Sequence, residues 1–418
     1  MTCQVSPGPG ATTLGLVATD SLAVGQRSLG DPAVGYPLWP PLTEGCPRTS
    51  TDGVSYPVEV DYAYDRVPHG LFGAAGATAR HGLDRWAPLL PPLAAPGLGE
   101  GGTPLVDLGG GVLVKDESRN PTWSHKDRLN RCTVSAAVAC GAPGVVVASS
   151  GNHGASAAAY AARAGLRCVV LTSPQPPPAV VSFLHAYGAE VLPVPVEARR
   201  PLMRRVHEEY GLHPVSSLTP THTGHPFGAE GYKTVAYEVF REVGVPAAVF
   251  VPTGYGELLF GVAKGFAELH RLGLARAVPR LFSCEPAAGG PLAAAIRRGL
   301  PAVTVPVGAT DAYSIACQVG GYRGVRAIRD SGGEALLVAD PELAGARREL
   351  ARAGLWTELS AAAGLAGLRQ YGADRFDGPV VCVSTSSGFK DIEVGTLRVP
   401  PPAPDWDTVL RRLGEPGP

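Results

Sequence analysis

The sequence predicts an α/β fold whose sheets are mostly parallel, on the strength of two observations. From about residue 100 onward, short runs of β-branched residues alternate with alanine-rich stretches of helical length, which is typical of βαβ units. Two of the alanine-rich stretches end at a glycine, Gly141 and Gly165, and glycine commonly closes a helix. Because parallel sheets bind ligands at the carboxyl ends of their strands, functional residues are expected in the turns that follow the strands.

Taken in order, the chain begins with residues 1–60, which are rich in Pro, Gly, Ser and Thr and show weak periodicity. We interpret them as an N-terminal extension that ends in a strand near residues 54–64. The alternating part of the chain then predicts helices at 133–140 and 155–164. It predicts strands at 111–117, 144–150, 167–173, 248–252, 281–286, 335–340 and 380–386, with the ligand-binding turns at their ends.

Charge and hydropathy exclude several classes of function. The formal net charge is −1, so the chain lacks the basic field that nucleic acids and membrane surfaces attract, and we expect neither as a partner. No apolar run approaches the ~18 residues of a membrane span, and no signal peptide is evident. The eight cysteines are scattered without CxxC spacing, so we expect reduced, buried thiols in a cytoplasmic protein rather than disulfides or a metal site.

Lysine is unusually rare in this chain. Five of the 36 basic residues are lysines, namely Lys115, Lys126, Lys233, Lys264 and Lys390. GC-rich codon usage explains a general excess of arginine, but it does not explain why lysine stays at these positions. Lys126 has a chemical reason, because a guanidinium that stays protonated cannot do the chemistry of an amine. The sequence suggests no such reason for the other four.

A polar loop at residues 117–128 follows the first predicted strand and places Lys126 near the start of a helix. The positive end of the helix dipole disfavours a cation there. That lowers the cost of the neutral amine, which Schiff-base chemistry requires. The alternative interpretation is a surface lysine that pairs with Asp127.

Three further strand ends carry polar or glycine-rich turns, at residues 149–154, 252–258 and 384–391. The first offers Asn152 and backbone N–H groups that can hold a carboxylate. The second is a glycine-bearing loop at a helix start, which suits a phosphate, and the third offers hydroxyls for a ring nitrogen. Each alone could be an ordinary turn. Together with a reactive amine they supply what pyridoxal phosphate needs.

The order of these motifs resembles that of the fold type II pyridoxal-phosphate enzymes, most closely threonine synthase and its relatives. The matching segments are 99–105, 120–128, 149–154, 225–234, 252–261 and 385–391, so the resemblance covers about 70% of the chain. It implies two open, mostly parallel α/β domains with the cofactor cleft between them. The large cofactor-binding domain would comprise 61–135 plus 235–400, the small mobile domain 136–234, and the C-terminal tail 401–418.

The resemblance also implies a role for each matching residue, in an enzyme that acts on an α-amino acid by elimination and addition. Lys126 would hold the cofactor and move protons, Asn152 would contact the ring hydroxyl, and Thr385 would face the pyridine nitrogen. The cofactor phosphate would be held by Gly254, Tyr255, Gly256, Glu257 and Leu258. The substrate would be held by Ser149, Ser150, Gly151, His153 and His125. A homodimer is the family's usual assembly.

Several departures from the family pattern concern the substrate. The stretch 226–230 lacks the arginine that the family uses for the substrate phosphate, and Arg119, Arg128 and Arg323 are candidates to replace it. Glu257 stands where the phosphate loop has a glycine, and His222 and His225 are candidates to join the pocket. The sequence therefore leaves two activities open. One is a threonine synthase-like reaction that releases phosphate from O-phosphohomoserine; the other is a β-eliminating ammonia-lyase or dehydratase, or a β-replacing synthase, on a related amino acid.

Overall fold

The computed structural model describes residues 20–73, 81–392, 406–408 and 411. Within these ranges the strands are β1 (Ala23–Ser28), β2 (Gly35–Pro37), β3 (Val58–Tyr62), β4 (Leu105–Asp107), β5 (Val112–Asp116), β6 (Gly144–Ala148), β7 (Arg167–Thr172), β8 (Glu190–Pro193), β9 (His213–Pro214), β10 (Ala248–Pro252), β11 (Arg280–Pro286), β12 (Glu334–Val338) and β13 (Val380–Ser384). The helices are α1 (Lys126–Ala139), α2 (Asn152–Arg163), α3 (Pro178–Ala186), α4 (Val196–Tyr210), α5 (Gly228–Val243), α6 (Glu257–Arg271), α7 (Pro291–Arg298), α8 (Tyr322–Ser331), α9 (Asp340–Arg352) and α10 (Ala363–Tyr371).

The larger sheet has six strands in the order β12-β11-β10-β13-β5-β4, and all pairs are parallel except β4 with β5. Helices cover both of its faces. Val249 and Val251 of β10 pack with α5, α6 and α8, whereas Ala248 and Phe250 pack with α9 and α10. A central strand buried on both faces must be apolar at every position, which explains why AVFVP shows no alternation of polar and apolar residues.

The smaller sheet has four parallel strands in the order β8-β7-β6-β9. It is sandwiched in the same way, because Val145 and Val147 of β6 face α1, α2 and α3, while Val146 faces α4. All seven predicted strands are present, and the predicted α/β class with mostly parallel sheets is confirmed. The predicted bounds of the two domains stay a prediction.

Both predicted helices are longer than expected at their N-terminal ends. Helix α1 begins at Lys126 instead of residue 133, and α2 begins at Asn152 instead of residue 155. Polar first turns hid these starts, since the alanine-rich pattern begins only in the second turn. Gly141 and Gly165 have φ values of 65° and 68°, as expected of glycines that close a helix.

The segment interpreted as an N-terminal extension forms a three-stranded antiparallel sheet in its described part, in the order β2-β1-β3. The predicted strand near 54–64 corresponds to β3, whereas β1 and the three-residue β2 lie in the Pro- and Gly-rich part of the segment and were missed. Buried cations attach β3 to the large sheet's helices. Lys264 Nζ donates to Val60 O at 2.6 Å, and Arg323 Nη2 donates to Val58 O at 2.6 Å.

Three other expectations concern the C-terminal tail, membrane-spanning helices and the cysteines. Most of the predicted tail at 401–418 lies outside the described residues. In the part of the chain that the structure describes, no helix is both long and apolar enough to cross a membrane. Six of the seven described cysteines are buried and all seven are free thiols, Cys140 being the exposed one.

Candidate active site

A cavity of about 350 Å³ lies where the carboxyl ends of β6, β10 and β13 approach the start of α1. All thirteen residues to which the resemblance assigns a role line this cavity: His125, Lys126, Ser149, Ser150, Gly151, Asn152, His153, Gly254, Tyr255, Gly256, Glu257, Leu258 and Thr385. Side chains from both parallel sheets therefore meet at one place, as expected for the ligand site of open α/β sheets.

The amine of Lys126 points at Tyr232, with 3.2 Å between Nζ and the tyrosine hydroxyl. Burial lowers the pKa of the amine, and the charges of Glu257 and Glu358 oppose this only in part. Among the described residues no carboxylate forms a salt bridge with Lys126. The alternative of a surface pair with Asp127 is wrong, because the Asp127 carboxylate is buried and accepts hydrogen bonds from Thr122 and Ser156.

His125 fastens the lysine-bearing segment to the segment after β13. Its backbone N–H donates to Thr385 O at 3.0 Å, and its Nδ1 lies 3.1 Å from the same oxygen. Burial holds the pKa of the imidazole well below its usual value, and Lys126 lowers it further. The ring is therefore neutral, and its Nδ1 must carry the hydrogen to donate to a carbonyl.

Asn152 is held by Glu358, which the sequence gave no reason to single out, and by Ser386, which lies in the predicted turn at 384–391. Its Nδ2 donates to Glu358 Oε2 at 2.8 Å, and its Oδ1 accepts from Ser386 Oγ at 3.3 Å. Glu358 also accepts a hydrogen bond from Ser314. Glu358 lies in no recognisable motif, so only the fold could reveal it. This network fixes the orientation of the Asn152 amide at the edge of the cavity.

The loop after β10 ends at Gly256, the cap of helix α6, with a φ of 88°. A Cβ at Gly256 would lie 2.8 Å from the Cα of Gly324, so no other residue fits there. The first N–H groups of a helix have no partner within the helix. Residues 254–258 thus present N–H groups and the positive end of a 15-residue helix to the cavity, a suitable arrangement for an anion.

Glu257 places a carboxylate in this loop, and His222 compensates for it. Glu257 Oε2 lies 2.9 Å from His222 Nε2, and the His222 ring stacks on Tyr255 with 4.0 Å between centroids. Burial raises the pKa of Glu257, but His222 and Lys126 more than offset this and hold it well below its usual value. The carboxylate is therefore ionised and bonded to His222.

The turn after β6 offers a neutral histidine and a helix start. His153 Nε2 is buried and has no hydrogen-bond partner among the described residues. Burial, with a smaller effect of Lys126, lowers the pKa of His153 to about 3. Ser149 Oγ accepts from Gly151 N at 3.2 Å, which shapes the turn at the N-terminus of α2.

Several candidates from the sequence do not line the cavity. His225 is paired with His213 through their Nε2 atoms at 2.9 Å, whereas His222 does line it. Arg128 is buried between Glu117 and Glu238, and Arg323 donates to backbone carbonyls. Arg119 pairs with Asp116 and is largely exposed. None of these three arginines reaches the cavity, so they cannot replace the missing phosphate contact directly.

Two other arginines do line it, and the sequence analysis missed them. Arg199 and Arg200 lie in the first turn of α4 and face the cavity from the smaller sheet. An Arg-Arg pair early in a helix after a strand was the available signal, but it belongs to none of the matching motifs. Tyr232, which holds Lys126, lies in the matching segment 225–234 and could have been found there.

These residues suit pyridoxal phosphate. Lys126 is half-buried and lacks a carboxylate partner among the described residues, and the Thr385 hydroxyl also has no partner there while it lines the same cavity. The loop at the start of α6 supplies an anion site, and one oxygen of the Glu257 carboxylate is hydrogen-bonded to His222. The cavity therefore contains the three features that the cofactor requires: an available amine, a phosphate site and a group for the ring nitrogen.

Comparisons with known proteins agree with this arrangement. The profile of a family described as pyridoxal-phosphate-dependent enzyme matches residues 97–386. A threonine synthase of Methanosarcina acetivorans is 32% identical over 329 residues, which cover 73% of this chain and 80% of that protein. A threonine synthase of Mycobacterium tuberculosis is 33% identical over 350 residues, 79% of this chain and 92% of that protein.

Among solved structures, maize serine racemase is similar in fold, with a TM-score of 0.61 and 22% identity over 75% of this chain and 92% of that chain. The family match covers more than half of the chain, and the relatives exceed 30% identity over most of their length. The chain therefore belongs to the pyridoxal-phosphate-dependent enzymes of fold type II and is a threonine synthase-like lyase.

Proposed function

We propose that the enzyme converts O-phosphohomoserine and water to threonine and phosphate. The similarity to threonine synthases supports the reaction, and one observation on the site carries it. The buried amine of Lys126, which lacks a carboxylate partner, shares a cavity with a helix-start anion site and with unpaired cationic side chains. A substrate with both a carboxylate and a phosphate is suited to such a cavity.

When bound, the cofactor supplies the electron sink that makes the Cα proton of an amino acid acidic. Lys126 Nζ removes that proton and later returns one, and its lowered pKa makes the neutral amine accessible for this. Tyr232 holds Nζ in place through the 3.2 Å contact with its hydroxyl. In the net reaction the Cγ–O bond to phosphate breaks and one proton moves from Cβ to Cγ. The hydroxyl of a water molecule adds at Cβ, and the other proton of that water leaves with the phosphate.

The remaining residues bind and orient the cofactor and the substrate. The N–H groups of Gly254, Tyr255, Gly256, Glu257 and Leu258 would hold the cofactor phosphate at the start of α6. Thr385 would place a neutral hydroxyl at the ring nitrogen, which would leave that nitrogen less protonated than an aspartate would. Asn152, fixed by Glu358, would contact the ring hydroxyl. Ser149, Ser150, Gly151 and His153 bind the substrate carboxylate at the start of α2, with His125 beside them.

A second candidate is a β-eliminating ammonia-lyase or dehydratase, or a β-replacing synthase. The observation in its favour lies in the stretch 226–230, where the family's phosphate-binding arginine is missing. A Cβ on Gly228 would lie 3.0–3.1 Å from side-chain atoms of Leu129 and Thr133, so a larger residue at that position would have to displace these neighbours.

A turnover screen of the purified holoenzyme separates the two. Phosphate release from O-phosphohomoserine, with threonine as the product, supports the proposed reaction. Release of a keto acid and ammonia from serine, threonine or diaminopropionate, without phosphate release from O-phosphohomoserine, would contradict it and support the second candidate.

We further propose that the enzyme acts in the cytoplasm as a homodimer, with the cofactor attached to Lys126 as a Schiff base. Free thiols at all seven described cysteines are compatible with a reducing compartment. Light scattering during gel filtration measures the assembly: a mass of two chains is expected, and a mass of one chain would contradict the proposal.

A further inference from the structure

One wall of the cavity is cationic. Val196, Arg199 and Arg200 occupy positions i, i+3 and i+4 in the first turns of α4, so they lie on one face of the helix, and all three line the cavity. Arg199 is half-buried and Arg200 is exposed at the cavity mouth. Two guanidinium groups are thus brought to the same cavity as Lys126, from the smaller sheet.

Neither arginine has a partner of opposite charge among the described residues. Two carboxylates line the cavity, and both are engaged elsewhere: Glu257 with His222, and Glu358 with Asn152. Arg199 Nε is buried without a hydrogen-bond partner. The next arginines of the same helix behave differently, since Arg204 pairs with Glu44 and Arg205 pairs with Glu209.

A guanidinium that is half-buried and unpaired is costly, because burial without a partner disfavours its charge. Burial indeed lowers the pKa of Arg199. An oxyanion would remove this cost. Two neighbouring guanidinium groups match a phosphate monoester in charge and in hydrogen-bond geometry better than they match a carboxylate, which carries a single charge.

We propose that Arg199 and Arg200 form the subsite for the phosphate group at the distal end of the amino-acid substrate. The subsite lies on α4, whereas Gly228 at the start of α5 carries no side chain and packs closely against Leu129 and Thr133. This assignment rests on the proposed function for the identity of the substrate, but the affinity of the two arginines for phosphate can be measured without turnover.

The binding test uses the holoenzyme, whose cofactor occupies its own phosphate site, and inorganic phosphate as the probe in isothermal titration calorimetry. The variants are Arg199→Gln/Arg200→Gln and Arg200→Gln alone, with Arg205→Gln as the control on the same helix. We expect the double variant to weaken phosphate binding by at least about 10-fold, and the control to bind like the wild type. Equal affinities in wild type and double variant would overturn the proposal.

Kinetics with O-phosphohomoserine distinguish failure of the subsite from failure of the proposed function. We expect KM to rise at least about 10-fold in the double variant and Arg200→Lys to restore part of the affinity lost in Arg200→Gln. If the wild type turns the substrate over and the double variant keeps its KM, the subsite is wrong and the function stands. If the wild type does not turn it over, yet the double variant loses phosphate binding, the subsite stands and the function is wrong.

Discussion

Two regions of the molecule hold buried or half-buried cations in opposite ways. Beneath β3, the Glu230 cluster (Glu230, Lys233, Lys264 and Glu268) places each ammonium against carboxylates. Glu230 lies 2.8 Å from Lys233 and 2.7 Å from Lys264, and Glu268 lies 2.9 Å from Lys233. In the cavity, Lys126, Arg199 and Arg200 have no carboxylate partner among the described residues.

This difference divides the cations into two classes. Structural cations are paired with carboxylates of the protein, whereas chemical cations lack such a partner and remain available to a ligand or a reaction. Lys233 and Lys264 lower the pKa of Glu230 to about 2 despite its burial, so this carboxylate is ionised. Glu59, 3.2 Å from Lys264, adds a further carboxylate at the edge of the cluster. A buried charge persists in a folded protein only when something pairs with it. Where the protein supplies no partner, as in the cavity, a ligand must supply it, or the group must become neutral.

The largest effect is expected at Lys126. Lys126→Ala removes the amine that holds the cofactor and moves protons, so we expect turnover to fall by at least about 10³-fold. Stability should not fall, because the wild-type amine is buried without a carboxylate partner. Steady-state kinetics and urea unfolding of the cofactor-free proteins check both parts. A destabilised but active variant would assign Lys126 to the structural class.

The opposite result is expected in the Glu230 cluster. Glu230→Gln leaves two buried ammonium groups without their shared carboxylate, which costs about 3–5 kcal/mol of unfolding free energy. Urea unfolding at pH 7 measures this. The matched control is Glu209→Gln, whose partner Arg205 lies on the surface. If both variants unfold at the wild-type midpoint, the cluster contributes nothing and the comparison fails.

Lys390 is an intermediate case between the structural and the chemical cations, because it is buried without a hydrogen-bond partner in the described part of the chain but does not line the cavity. Its amine is buried, has no hydrogen-bond partner among the described residues, and lies 4.5 Å from the Phe183 ring centroid. Burial lowers its pKa to about 8, against weaker opposition from Asp127 and Glu358. Lys390→Met should therefore stabilise the protein at pH 7 by about 1–3 kcal/mol, since it removes a buried ammonium without a partner.

The pH dependence of this effect has a definite sign. Between pH 8 and the unfolded-state pKa of about 10.4, the folded wild type binds fewer protons than the unfolded chain, so its stability rises with pH. The advantage of Lys390→Met is present below pH 8 and shrinks as the pH rises through this range. Urea unfolding at pH 7 and pH 9.5 measures it; an advantage that grows with pH would contradict the assignment.

The smallest effect on stability is expected for solvent-exposed salt bridges. Arg167 and Glu190 form a salt bridge of 2.7 Å while both side chains are about half exposed. Water and salt screen such pairs, and holding two long side chains together costs entropy. Arg167→Gln should leave the urea midpoint unchanged. A large shift would show that pairing matters even without burial.

The sequence predicted the fold well because its signals are local. Seven apolar strand segments and two glycine helix ends can be recognised in short windows, and the order of six matching segments identified the family. The β1–β2 hairpin was missed because a Pro- and Gly-rich segment has no periodicity. Strand β1 is held by long-range pairing with β3, such as that of Gln26 with Val60.

The candidate site was predictable where motifs carried it, and all thirteen predicted residues line one cavity. The supporting residues Glu358, Arg199 and Arg200 lie outside the matching motifs, and only the packing of segments that are distant in the sequence brings them to the cavity. The sequence also did not show why a lysine is kept at position 115. Lys115, buried against Glu238 and Thr103 O, has a compact ammonium in a confined site where a planar guanidinium is a poor substitute, and only the packing shows this.

The most direct test of the central claim is to find which lysine holds the cofactor. Borohydride reduction of the holoenzyme makes the lysine–cofactor linkage permanent, and peptide mass spectrometry then locates the added mass among the five lysines. We predict the mass on Lys126 alone, since it is the lysine that lines the cavity. Added mass on Lys115, Lys233, Lys264 or Lys390 would contradict the division of the buried cations into structural and chemical groups.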